Sequence, residues 1–153
     1  MSHTSRVTTA ALTDLDALAA AVAELAAEGI AISLKHNCAP RSYFGTRQTG
    51  MESTHTVIHL PNAQYDIGVY DMEDGTRELR TDFYGGSVQR QLGGAAGNEM
   101  DKEVSRETLA VGKLLQRYQI ICAEKAAMNA GYVDMERHVM PDGEMQLLVQ
   151  IAA

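Results

Sequence analysis

Residues 65–83 read YDIGVYDMEDGTRELRTDF, and two very different structures compete for this stretch. Asp66, Asp71, Glu73 and Asp74 crowd ahead of Gly75, as carboxylates do in a calcium loop. An EF-hand loop needs oxygen ligands at positions 1, 3 and 5, glycine at 6 and glutamate at 12. With Gly75 at position 6, position 1 is Tyr70, position 3 is Met72 and position 12 is Thr81, so the pattern fails at three ligand positions. The flanks also alternate with the period of strands rather than helices.

A hairpin fits better, and its register follows from side-chain pairing. A two-residue Asp74-Gly75 turn would set Val69 against Arg80 and Ile67 against Asp82. A three-residue Glu73-Asp74-Gly75 loop, with Gly75 left-handed in a bulge, pairs Val69 with Leu79, Ile67 with Thr81, Tyr65 with Phe83 and Asp71 with Arg77. The second register joins apolar residues and opposite charges, as cross-strand energetics favour. The carboxylates then read as exposed groups on strands and turn. The end of the chain repeats the pattern: a Pro141-Asp142-Gly143 loop pairs Val139 with Met145, Met135 with Val149 and Val133 with Ile151.

Outward from these hairpins, Thr13 and Asp16 form a near capping box ahead of a helix from Asp14 to about Glu28. Leu15, Leu18, Val22 and Leu25 set its inner stripe, alanines its outer face, and Gly29 its stop. A second helix starts between Asp101 and Leu109 and ends at Asn129, with Val111, Leu114, Leu115, Tyr118, Ile121 and Cys122 as a broad stripe suited to lying across a sheet. SRVTTAAL, IAISL and THTVIHL read as further strands. Residues 36–53 and the glycine-rich residues 85–100 read as flexible loops, the latter with little to pack and room for one helical turn. The expected order is β-α-β-β-β-β-α-β-β: one α+β domain over 1–153, mainly antiparallel sheet with two packed helices.

Composition narrows the function. The 153 residues carry 13 Lys plus Arg against 20 Asp plus Glu, a net charge of −7, with no basic cluster to neutralise phosphates, so nucleic acid is not an expected partner. No apolar run approaches a membrane span, and the start MSHTSRVTTA lacks the pattern of a signal peptide. With only Cys38 and Cys122, no disulfide framework is expected and a cytoplasmic protein is.

Candidate chemistry is sparse. His55 and His59 share a strand face but stand about 13 Å apart, too far to hold one ion. His36 and Cys38, with His3 or His138 as additional donors, lack the paired spacing of zinc sites. Cys38 as a thiol nucleophile would draw on His36 and Arg41, whereas Cys122 and Tyr118 belong to the apolar stripe of the second helix. GGSVQ lacks the last glycine of a nucleophile elbow. VGKLL and GGAAG lack the spacing of phosphate and dinucleotide loops. No catalytic, metal or cofactor-binding residue is assigned.

The start MSH, the stretch YDIGVY, the helix segment QRY and the ending GYVDMERHVMPDGEMQLLVQ together resemble the family designated domain of unknown function 1257, whose plastid and cyanobacterial members are called hypothetical chloroplast reading frame 35. A longer RSYFGTRQTGMES loop and a longer glycine-rich segment depart from its pattern. The resemblance brings no activity and no site residues. Family members occur in bacteria, plastids and some viruses, and bacterial ones lie near genes for AAA-type ATPases and ferredoxin-like proteins, which implies an adaptor role. The expectation is a non-catalytic protein-binding component, self-associating or an ATPase partner. A virion or assembly protein and a metal- or thiol-dependent enzyme built on His36 and Cys38 are the alternatives.

Overall fold

In a computed structural model, residues 4–7, 12–42, 51–82, 86–92, 111–141 and 144–150 are described. The elements are β1 (Thr4–Val7), α1 (Leu15–Ala27), β2 (Ser33–Cys38), β3 (Thr54–His59), β4 (Ile67–Asp71), β5 (Arg77–Asp82), α2 (Ser87–Leu92), α3 (Gly112–Asn129), β6 (Met135–Val139) and β7 (Met145–Val149). This is the expected α+β order with one short helix added. Five strands form an antiparallel sheet in the order β1-β5-β4-β3-β2, and β6 and β7 form a separate two-stranded sheet. Alternating direction makes β1 and β2 parallel at opposite edges, so α1 spans the sheet between them.

The central hairpin has the register that side-chain pairing favours: Val69 opposite Leu79, Ile67 opposite Thr81, Asp71 opposite Arg77. Met72 N–H donates to Thr76 C=O at 2.8 Å, closing a loop of Glu73, Asp74 and Gly75, with φ +86° at Gly75. Asp74 accepts from the Thr76 N–H at 3.0 Å, an Asx turn that rigidifies the loop. The closing hairpin likewise pairs Met135 with Val149 and Val139 with Met145. The Tyr65/Phe83 and Val133/Ile151 pairs involve Phe83 and Ile151, outside the described residues.

Alternation gives the large sheet two unlike faces. Ile58, Ile67, Val69 and Leu79 meet Leu18, Leu25, Leu114 and Ile121 of the helices in one core. The other face carries Val57, Gly68, Tyr70, Glu78 and Asp82, buried as well, outside that core. Tyr70 O–H donates to Glu52 C=O at 2.7 Å, and Arg80 stacks 4.3 Å over the Tyr70 ring while its Nε donates to Glu78 at 3.0 Å. Burial pushes the Tyr70 hydroxyl up to about 12, so it stays a donor at any physiological pH.

Several expectations are corrected. The cap of α1 is Asp14, accepting from Ala17 N–H at 3.0 Å, rather than Thr13. Leu15 is exposed, because the first turn overhangs the core. The strand after α1 runs later than IAISL, so His36 and Cys38 are strand residues and not part of a loop. Ser87–Leu92 is a helix with Val88 and Leu92 fully buried, which removes the reading of that stretch as unpacked. The second long helix starts at Gly112; the expected start at 101–109 lies outside the described residues. Among the described residues, no helix is long and apolar enough to cross a membrane.

Gly68 supports the Tyr70 stack by absence of a side chain: a Cβ there would lie 2.4 Å from Tyr70 Cε2. Gly68→Ala is expected to lower stability by about 1–3 kcal/mol through forced repacking, measured by urea unfolding; an unchanged midpoint would contradict this packing.

Candidate functional site: the anchored C-terminal hairpin

Two arginines join the hairpin to the helices. On α1, Glu24 and Glu28 are four residues apart and share a face; on α3, Arg117 and Glu124 are two turns apart and do likewise. Arg137 of β6 completes the group. Its Nη1 and Nη2 donate to the two oxygens of Glu24 at 2.6 and 3.0 Å, and its Nε and Nη2 donate to those of Glu124 at 2.8 and 2.5 Å. Both pairs are bidentate, the strongest form of arginine–carboxylate contact. Arg117 donates to Glu28 at 2.6 and 3.1 Å and to Glu24 at 3.2 Å.

Two cations and three carboxylates thus interlock over the α1–α3 seam. The hydrogen bond from Arg137 holds Glu24 below the usual carboxylate range, and that from Arg117 does the same for Glu28. Glu124 and Glu24 in turn raise Arg137 above its ordinary value. Lys125 pairs with the capping carboxylate of Asp14, a further tie between the helices.

The inner row of the hairpin holds Met135, Arg137 and Val139 opposite Val149, Leu147 and Met145. Met145 and Leu147 pack against the main core. A shallow groove of about 200 Å³ runs between them and Gln116, Gln119, Ile120 and Ala123 of α3. At the open end of the hairpin, a depression of about 420 Å³ is lined by Asp134, Met135, Glu136, Leu148, Val149 and Gln150. Of the five exposed large apolar residues described, Met128, Val133, Val139 and Leu148 cluster in this last part of the chain, at 62, 86, 66 and 44% exposure. Val139 lies in the inner row and Leu148 in the outer one, so the hairpin presents apolar groups on both of its faces. The outer face of α1, the other candidate surface, offers exposed Ala19, Ala23, Ala26 and Ala27, with Glu24 and Glu28 already engaged beside them.

The residues singled out for chemistry disperse. His36 and Cys38 lie on β2, with His36 Nδ1 3.3 Å from the His55 carbonyl. Arg41 turns away from Cys38 chemistry to Asp66. His138 sits on the other sheet, 3.5 Å from Glu136, and His3 is outside the described residues. Among the described residues, no three His, Cys, Asp or Glu side chains group as metal ligands.

Asp66 is the residue the sequence hides best. It is 2% exposed, which corrects its reading as a solvent-facing acid. It accepts from Arg41 N–H at 3.0 Å, Arg41 Nε at 3.1 Å, Arg41 Nη2 at 2.8 Å and Leu60 N–H at 3.3 Å, and lies 2.8 Å from His59 Nδ1. Burial alone would raise its pKa, but these contacts, Arg41 foremost, outweigh burial and hold it below its ordinary 3.8. Ser33 is directly opposite His59 across β2 and β3, so serine, imidazole and carboxylate form one row. Among the described residues, no hydrogen bond joins Ser33 to His59. Asp66 also serves five donors that fix the chain after β2 and the β3–β4 turn, a bracing role. Set against protein-family models, curated proteins and solved structures, the chain matches none.

Arg137→Ala leaves Glu24 and Glu124 facing each other and is expected to cost about 1–3 kcal/mol, with hydrogen exchange of β6 and β7 accelerating far more than that of β3–β5; uniform acceleration would refute a local anchor. Asp66→Asn is expected to cost about 3 kcal/mol at neutral pH. Because the native Asp66 pKa is depressed, its stabilisation is complete above the ordinary value and fades as pH falls through it toward the lower native one. Urea titrations from pH 7 downward therefore show the wild-type advantage over Asp66→Asn shrinking below about pH 4; a constant difference would mean the carboxylate is not ionised in the fold.

Proposed function

We propose that this protein is a non-catalytic protein-binding component whose working surface is the β6–β7 hairpin. One observation carries the proposal: a two-stranded sheet, marginal by itself in water, is held on the helices by Arg137 while its apolar residues Val133, Val139 and Leu148 stay exposed. Rigid presentation lowers the ordering cost of association, so exposed apolar side chains beside a strand edge become useful for binding. An AAA-type ATPase, the partner that the sequence resemblance implies, is one form this reading takes.

An enzyme built on His36, Cys38 and Arg41 gains no support, since Arg41 is committed to Asp66. Immobilised protein is expected to retain a protein partner, itself included, and Leu148→Asp, on the exposed face of β7, is expected to weaken retention at least tenfold without lowering thermal stability. A monomeric wild type that retains nothing from extracts of its own host would refute the proposal, as would retention indifferent to Leu148→Asp.

A further inference from the structure

The backbone of β7 specifies which of its groups are free. Met140 N–H donates to Glu144 C=O at 2.7 Å, and Gln150 N–H to Asp134 C=O at 3.0 Å. By antiparallel alternation, Glu144, Gln146, Leu148 and Gln150 direct their backbone groups at β6. The N–H and C=O groups of Met145, Leu147 and Val149 therefore point to the opposite edge, and among the described residues β7 pairs with β6 alone in its sheet.

Natural edges of this kind are guarded by lysine, proline, bulges or inward charges. The stretch MQLLVQ, residues 145–150, has none of these. The β6 edge, by contrast, carries Glu136, Arg137 and His138. The apolar groove along Met145, Leu147 and Ile120 opens beside β7, and its α3 wall, Gln116, Gln119 and Ala123, is uncharged too. Charge depletion at the centre of a patch is what distinguishes an interface from ordinary surface.

Resting on the reading of the hairpin as a binding surface, we infer that its partner is a second copy of this chain, joined by antiparallel pairing of β7 with β7 about a twofold axis at Leu147. Side chains facing one another across such an axis must lie on the same side of the sheet. With the axis at Leu147, each Met145 meets the other copy's Val149 and the two Leu147 meet each other, so the inner row at the β7–β7 junction is apolar throughout. The same register matches every outward N–H with an outward C=O, joining the hairpins into one four-stranded sheet. Each Gln146 then stands opposite the other copy's Leu148 on the outer face. The axis also sets the two α3 helices side by side through Gln116, Gln119 and Ala123, closing both grooves.

The outer pair supplies a test that leaves the core alone, since Gln146 and Leu148 are both exposed. Wild-type protein is expected at twice the 16.6 kDa chain mass by light scattering at micromolar concentration. Gln146→Lys with Leu148→Lys places like charges directly opposite twice and is expected to give monomers with unchanged circular dichroism. Gln146→Glu with Leu148→Lys places opposite charges across the axis and is expected to stay dimeric. If the double-lysine variant fails to fold, Gln146→Cys with Leu148→Cys decides instead. These positions form non-hydrogen-bonded pairs with Cα atoms about 4.5 Å apart, and oxidation is expected to cross-link the copies beyond a wild-type control. A monomeric wild type, a dimer surviving in the double-lysine variant, or no cross-link overturns the inference. A monomeric wild type that still retains another protein in a Leu148-dependent way overturns the self-pairing alone and leaves the binding role standing.

Discussion

The guanidinium of Arg137 is the constraint on which the C-terminal part of the molecule depends. It projects from the inner row of the hairpin and forms forked contacts with Glu24 and Glu124, each on a different helix. A lysine would supply one point charge without the planar fork, and so could not set the angle of the strand against both helices at once. Arg117 repeats the device one layer deeper, where its side chain is only 9% exposed. Geometry is therefore specified by directional bonds at the seam, while the groove beside β7 is left apolar and open.

The large sheet uses the opposite arrangement. Its helix-facing side is aliphatic and its other side is a layer of buried polar groups, Tyr70, Glu78, Asp82 and Asp66, with half-buried Arg80 over Tyr70. Buried carboxylates are tolerated only when hydrogen bonds and cations replace the lost water. Asp66 shows this in its contacts with Arg41, His59 and Leu60, which tie the chain after β2 to the β3–β4 turn. The same contacts that make Asp66 resemble a catalytic carboxylate account for it as a brace.

What could be seen in the sequence depended on range. Both hairpin registers follow from residues less than twenty apart, because period-two alternation and a glycine turn leave one arrangement that buries the apolar face. The helices were likewise visible as stripes, apart from the start of the second. Asp66 was not visible, since its partner Arg41 is 25 residues away and an aspartate beside a strand looks alike buried or exposed. The Arg137–Glu24 contact spans 113 residues. A signal for it did exist: an arginine between Met135 and Val139 on the inward face of a hairpin requires a buried counter-charge. Val88 and Leu92 were obscured by the glycines around them, whose abundance outweighed two correctly spaced apolar residues.

The position of β1 has a consequence for how the chain is made. Thr4 pairs with Asp82 and Val7 with Leu79, so among the described residues β1 has its one strand neighbour more than seventy residues downstream. During translation β2 to β5 can zip sequentially through local turns, while β1 waits on the far side of α1 for β5 to emerge. Closing that long loop comes late and slowly. Until then β5 offers an open edge to solvent, which makes the nascent chain, rather than the finished fold, the stage at which this sheet is most exposed to mispairing.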